Sequence, residues 1–116
     1  MNLSKIDAHK IRWVLGSDIG AGPFLSMIDV INSFTDQHKK EKLKASYMRA
    51  IFRSTLASAK VLGISNEHGN FAKGKEASFL SIKLKNNLAS ASHQIDSDQE
   101  LHSWLKEVLK VPEYKR

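Results

Sequence analysis

The sequence predicts an all-α protein, a compact bundle of about five helices, and three observations support this fold class. Across residues 24–34, apolar side chains recur at steps of three and four, the spacing that places them on one buried helix face. Ser97 and Glu100 have the spacing of a capping box, which marks the start of a helix. Residues 38–62 place basic side chains on one side of a helix and apolar ones on the other. We therefore expect one long basic amphipathic helix within the bundle.

Length and composition are those of a small folded protein. With 116 residues, 41% hydrophobic and 26% charged, residues 1–116 are expected to form a single helical domain. The absence of cysteine excludes disulfides and thiolate chemistry. No window approaches the roughly 18 uninterrupted apolar residues of a membrane span, and residues 1–10 lack the apolar core of a signal peptide. We expect a cytoplasmic protein that does not enter membranes.

The first two helices are separated by a glycine-containing loop. The first helix is predicted over residues 4–15, with Gly16 as the left-handed residue that ends it. Residues 17–22 then read as a connection leading to Pro23, whose fixed φ suits the first turn of a helix. The second helix, ending near Asp36, is the most apolar element and is predicted to lie at the centre of the core.

The third helix is predicted to carry most of the basic residues. It is expected to run over residues 38–62 and to end at Gly63, a residue that accepts a positive φ. Residues 63–74 contain three glycines together with serine and asparagine, a composition typical of turns. We expect an exposed, mobile loop there.

The fourth and fifth helices complete the predicted bundle. Apolar residues spaced for one helix face predict a fourth helix over residues 77–91, although residues 80–85 also alternate as a strand does. The choice between helix and strand for residues 78–85 stays open. The fifth helix is predicted to begin at Ser97 and to end before Pro112. Its apolar face consists of Leu101, Trp104, Leu105, Val108 and Leu109.

Positive charge is concentrated in the middle of the chain. Residues 37–85 contain eleven basic and three acidic residues, a net charge of +8, whereas each flank carries −1. Four of these cations fall within roughly 20° of one line along the predicted third helix, over about 27 Å. They form the predicted basic ridge: Lys42, Arg49, Arg53 and Lys60. Four further lysines could extend it: Lys73, Lys75, Lys83 and Lys85.

Such a ridge favours a polyanionic partner. Aligned cations can contact successive phosphates of a nucleic acid and release its counterions. A face that serves only solubility usually mixes both signs of charge. Our leading hypothesis is a small non-enzymatic regulatory or accessory protein that binds DNA or RNA through backbone phosphates, with those eight residues as contacts.

One short stretch adds to this hypothesis. Residues 59–65, Ala-Lys-Val-Leu-Gly-Ile-Ser, resemble the first helix and turn of a helix-turn-helix motif. The resemblance implies a recognition helix after the turn. His68, Gly69 and Asn70 cannot sustain a helix at that place, so a displaced recognition helix would begin near Lys75. A glycine that ends the helix, followed by an apolar residue, accounts fully for residues 63 and 64.

A protein-binding module is the alternative hypothesis. A basic ridge can also dock an acidic protein surface, as an adaptor or inhibitor would. A second copy could cover the apolar side of the long helix, so a homodimer stays open. Several aromatic residues could anchor such interfaces: Trp13, Phe71, Trp104 and Tyr114.

Catalysis is not expected from the sequence patterns. The five histidines are scattered, and no two lie close enough to share a helix face as metal ligands. Among the histidines, His68, beside Glu67 in the glycine-rich loop, is the strongest candidate for a catalytic residue. No phosphate-binding loop or nucleophile elbow is present. We therefore predict no enzyme, no catalytic residue, no metal and no cofactor.

Overall fold

The computed structural model describes residues 2–38, 46–81 and 97–109. The chain divides into two compact units, Met1–Phe79 and Leu80–Arg116. Within the described residues the first unit contains four helices and the second contains one, and none of these residues lies in a strand. The all-α fold class and a single domain over residues 1–116 stay predictions for the whole chain. The helices are α1 (Leu3–Ala8), α2 (Met27–Gln37), α3 (Tyr47–Ser54), α4 (Leu56–Val61) and α5 (Asp98–Leu109).

Helix α1 is much shorter than predicted, and the assignment of its end to Gly16 was wrong. The left-handed residue is Lys10, with φ of +53°. Its N–H donates to the Asp7 carbonyl at 3.0 Å. The Ile11 N–H donates to the Ile6 carbonyl, also at 3.0 Å, and the two bonds complete a Schellman motif. Because a lysine occupies the position where glycine is usual, the pattern was not recognised in the sequence.

Helix α2 confirms the buried face that its periodicity predicts. The helix begins after Ser26 and not at Pro23, because the Ser26 hydroxyl accepts the Ile28 N–H at 3.2 Å and serves as the N-cap. Leu25 precedes the helix and is 77% exposed, so it lies outside the buried face. Three predicted face positions are buried: Ile28, Ile31 and Phe34.

The prediction of one unbroken helix over residues 38–62 was wrong. Helix α3 begins after its N-cap Ser46, and Thr55, with φ of −122° and ψ of −96°, separates α3 from α4. Side-chain hydroxyls near the break bond to main-chain carbonyls, which competes with continuation of the helix. Three such bonds, each 2.8 Å long, run from Ser54 to Ala50, from Thr55 to Ile51 and from Ser58 to Arg53.

The end of α4 agrees with the sequence prediction. Gly63 has φ of +76°, and its N–H donates to the Lys60 carbonyl at 3.3 Å. The Ile64 N–H donates to the Ala59 carbonyl at 2.9 Å, as in a Schellman motif. The predicted glycine C-cap is therefore confirmed. No helix occupies residues 75–81, so a recognition helix does not begin near Lys75 within the described part of the chain.

The loop after Gly63 is held by its own polar groups. The Lys75 ammonium donates to the Ser65 carbonyl and, at 3.4 Å, to the His68 carbonyl. The Glu76 N–H donates to the Glu67 carbonyl at 2.9 Å. Most of the loop is exposed, as predicted, but these bonds close it into a compact turn that lies against α4.

Gly69 is the point at which this loop approaches α4 most closely, and replacing it tests the packing. Its φ is +102°, and an added Cβ would lie 2.9 Å from the Ala59 Cβ and 2.9 Å from the Leu56 Cα. Gly69→Ala is therefore expected to lower the free energy of unfolding by roughly 2–4 kcal/mol, from backbone strain and overpacking together.

Gly63→Ala is the matched control for that measurement. Gly63 also has a positive φ, but an added Cβ would meet no atom within 4 Å. Its expected cost is only the backbone strain, about 1–2 kcal/mol. Equal losses for the two variants in urea unfolding would contradict the close packing at Gly69.

The predicted fourth helix finds no support in the residues that can be described. Residues 76–81 adopt neither helix nor strand, and residues 82–96 lie outside the description. Helix α5 begins where the capping signature predicts, since the Ser97 hydroxyl accepts the Glu100 N–H at 3.2 Å. Val108 and Leu109 are buried on its apolar face.

Candidate functional site

Two of the four predicted ridge residues make contacts within the protein. The Arg49 guanidinium forms a bidentate pair with Asp7, with N–O distances of 3.1 and 2.5 Å. Arg53 Nη1 donates to the Trp13 carbonyl at 3.0 Å. Lys60 is exposed but belongs to α4, beyond the break at Thr55. The continuous row of outward cations that the sequence predicted is therefore wrong for the described part of the ridge.

The other predicted phosphate contacts lie in different parts of the chain. Lys73 is exposed in the loop after α4, and the Lys75 ammonium is occupied by the main-chain carbonyls of that loop. Lys42, Lys83 and Lys85 lie outside the described residues.

Trp13 is the centre of the contacts that the two arginines make. The guanidinium carbon of Arg53 lies 4.5 Å from the Trp13 ring centroid and that of Arg49 lies 5.3 Å from it. The Phe34 ring of α2 is 5.5 Å away, which links the cluster to the buried face of that helix. Such cation–π contacts stabilise by about 0.5–2 kcal/mol each, depending on desolvation. Trp13 thus joins α2, α3 and the segment after α1.

The environment of Arg53 is electrostatically unfavourable for its charge. Burial lowers the pKa of its guanidinium, the positive charge of Arg49 lowers it further, and the carboxylate of Asp7 opposes both effects. An arginine stays protonated at neutral pH even so. The Trp13 carbonyl and ring also face this charge and partly offset the cost of its burial.

Residues 11–18 run without helix or strand from the end of α1 to a tight loop. The Leu15 N–H donates to the Arg53 carbonyl at 3.2 Å and ties this segment to α3. The segment ends at Asp18, which has φ of +51° and is exposed. Positive φ is uncommon outside glycine, although aspartate tolerates it better than most residues do, and such positions concentrate at functional sites.

The loop around Asp18 is closed by main-chain bonds. The Asp18 carbonyl accepts the Ala21 N–H at 3.0 Å and the Gly22 N–H at 2.6 Å. A Cβ added at Gly22 would lie well inside van der Waals contact with the Ser17 carbonyl oxygen, so only glycine permits this closure. The result is a compact loop that presents one carboxylate to solvent. This arrangement is the candidate functional site.

Sequence reasoning missed this site, since it took residues 17–22 as a connection. The available signal was one carboxylate among three glycines, at Gly16, Gly20 and Gly22. The histidine that sequence reasoning preferred, His68, has its Nδ1 3.8 Å from a Glu76 carboxylate oxygen in the separate loop after α4.

The described side chains do not form a metal site. Within residues 2–38, 46–81 and 97–109, no three His, Cys, Asp or Glu side chains come together as a metal site would require. The expectation of no metal and no cofactor stays a prediction. In the same ranges, no helix is both long and apolar enough to cross a bilayer.

Comparison with known proteins gives the family. The family model described as "Amidohydrolase family" matches residues 2–108. Guanine deaminase of Escherichia coli strain K12 is 35% identical over 79 residues, which are 68% of this chain and 18% of that enzyme. Guanine deaminase of Mus musculus is 33% identical over 88 residues, 71% of this chain and 19% of the enzyme. That of Homo sapiens is 30% identical over 91 residues, 73% of this chain and 20% of the enzyme.

These matches cover only part of the relatives. The chain spans about one fifth of the length of the curated guanine deaminases that it matches. No solved structure matches it significantly. The family match implies a TIM-barrel family, so the helices described above do not establish the fold class.

The comparisons contradict the functional hypotheses drawn from charge. A non-enzymatic nucleic-acid-binding regulator was wrong, and so was the exclusion of an enzyme, because the matching family is one of hydrolases. The partners inferred from the basic ridge, a nucleic acid or an acidic protein surface, are overturned by the same finding. The phosphate-contact roles of the eight basic residues depended on that partner. Since the family match extends over residues 2–108, the chain belongs to the amidohydrolase family.

Proposed function

We propose that this chain is part of a hydrolytic deaminase whose substrate is guanine or a purine base closely related to it. The observation that carries this proposal is the amidohydrolase match over residues 2–108, together with relatives that are named guanine deaminases. In the proposed reaction, water adds to the ring carbon that bears the exocyclic amine. The C–N bond then breaks, ammonia leaves, and the purine keeps the oxygen as a carbonyl.

Such a reaction needs a group that moves protons. A carboxylate can accept a proton from the attacking water and return it to the departing amine. Asp18 is our candidate for this role, because its loop exposes the carboxylate and is closed by its own main-chain bonds. Asp18 lies in a loop, as the catalytic residues of TIM barrels do.

The chain is shorter than a typical TIM barrel. A TIM barrel takes roughly 250 residues, and this chain has 116. We place the proposed activity in an assembly in which further residues, from the same or another polypeptide, complete the barrel. A cytoplasmic location stays a prediction that accompanies this proposal.

A direct assay tests the proposed function. The chain, in the assembly in which it occurs, is incubated with guanine, and ammonia release is measured alongside the loss of guanine absorbance. Adenine and cytosine serve as comparison substrates. Stoichiometric ammonia from guanine, with at least about tenfold lower kcat/KM for the other bases, is the expected result. Turnover of none of the three bases by the folded protein would overturn the proposal.

A further inference from the structure

We propose that Arg53 is a positioning residue, which holds the Asp18 loop in place by binding the segment that leads into it. The inference rests on the proposed function, since it assigns Asp18 a part in the reaction. Arg53 itself acts through Trp13 and Leu15 and need not touch a substrate.

Arg53 contacts this segment in three independent ways. Its side chain donates to the Trp13 carbonyl at 3.0 Å. The same guanidinium stacks on the Trp13 ring, with its carbon 4.5 Å from the ring centroid. Its main-chain carbonyl accepts the Leu15 N–H at 3.2 Å. One residue of α3 therefore holds both the side chain and the backbone of the approach to Asp18.

The break in the predicted long helix makes the main-chain bond between Arg53 and Leu15 possible. A carbonyl inside a continuous helix accepts the N–H four residues further on. Because the helix is interrupted at Thr55, the Arg53 carbonyl can accept the Leu15 N–H and, at 2.8 Å, the Ser58 hydroxyl. The interruption of the helix therefore leaves the Arg53 carbonyl available to anchor the segment that contains Leu15.

The contacts of Arg53 with Trp13 and Leu15 are close enough to Asp18 to control its position. Asp18 lies three positions after Leu15, a reach of at most about 11 Å. Because bonds to its own carbonyl close the Asp18 loop, we expect a displacement at Leu15 to carry the whole closed loop with it. A displacement of about 1 Å at a reacting group can cost roughly a hundredfold in rate. Loss of the anchor should therefore lower kcat more than it weakens substrate binding.

Three variants separate positioning from general stability. Arg53→Met keeps the length and apolar stem but removes both the hydrogen bond and the charge that faces Trp13. Arg53→Lys can still donate one hydrogen bond to the Trp13 carbonyl but lacks the planar group that stacks. Arg49→Met is the matched control, because it also removes a cation from the Trp13 ring, while the bidentate pair of Arg49 is with Asp7 of α1.

Steady-state kinetics with guanine give the first readout, on variants shown to be folded by circular dichroism. Arg53→Met is expected to lower kcat ten- to a hundredfold with KM changed less than threefold. Arg53→Lys should recover at least threefold of that loss, and Arg49→Met should keep kcat within threefold of wild type. A folded Arg53→Met variant with wild-type kcat would overturn the inference.

Amide hydrogen exchange gives a second readout that does not depend on activity. The Ala21 and Gly22 amides, which donate to the Asp18 carbonyl, should exchange at least tenfold faster in Arg53→Met and at the wild-type rate in Arg49→Met. If the wild type does not turn over guanine, the proposed function fails, and exchange alone then decides whether Arg53 holds the loop. Unchanged exchange in Arg53→Met would refute the positioning role.

Discussion

Asp18→Asn is expected to lower kcat for guanine deamination by roughly 10² to 10⁴, the usual contribution of a positioned acid–base group. The amide has the shape of the carboxylate but cannot take a proton from water. The loop should survive the change, because asparagine also tolerates positive φ and the closing bonds come from the main-chain carbonyl of residue 18. The measurement is kcat from steady-state ammonia release, with the melting temperature of each variant recorded beside it.

Asp29→Asn supplies the matched control for that experiment. Asp29 is exposed in the first turn of α2, so its replacement should cost at most about 1 kcal/mol of stability through the helix dipole and leave kcat unchanged. If Asp18→Asn keeps more than a third of wild-type kcat while folded, Asp18 does not transfer the proton.

Gly22→Ala is expected to open the Asp18 loop. The new methyl group would overlap the Ser17 carbonyl oxygen and would lie 3.2 Å from the Asp18 carbonyl oxygen. Both are backbone atoms and cannot turn aside as a flexible side chain does, so the loop must move. We expect a loss of about 1–3 kcal/mol in the free energy of unfolding, as for other overpacked sites, and at least a tenfold lower kcat.

Gly16→Ala separates this steric effect from the loss of a glycine. Gly16 lies in the same segment, and an added Cβ there would meet no atom within 4 Å. Because alanine restricts the unfolded chain more than glycine does, this change should be neutral or stabilising by up to about 1 kcal/mol. Urea unfolding gives the free energy of unfolding of both variants. Equal values for the two would show that Gly22 is not needed to close the loop.

The parts of the fold that could be predicted depend on local interactions. The buried face of α2 follows from apolar residues at helical spacing. The start of α5 and the end of α4 follow from hydrogen bonds that Ser97 and Gly63 make within a few residues. Each of these signals lies in one short stretch of sequence, so no knowledge of tertiary contacts was required.

The anchor of the candidate site could not be predicted because the contacts around Trp13 join distant parts of the chain. Arg49 pairs with Asp7 across 42 positions, and Arg53 bonds to Trp13 across 40. Helical periodicity correctly placed the two arginines on one side of α3 but could not show that this side faces a tryptophan and a carboxylate. The excess of positive charge was therefore misread as an open surface for a polyanion.

By itself, the sequence determined where apolar helices form, where two of them begin or end, and how charge is distributed along the chain, since these properties depend on residue type and short spacing. Only the tertiary structure decided that the arginines of α3 turn toward Trp13 and that the segment leading to Asp18 is tied to α3. The physical reason is that a hydrogen bond or cation–π contact between remote segments competes with local helix propensity, and its outcome depends on packing that no short window of sequence contains.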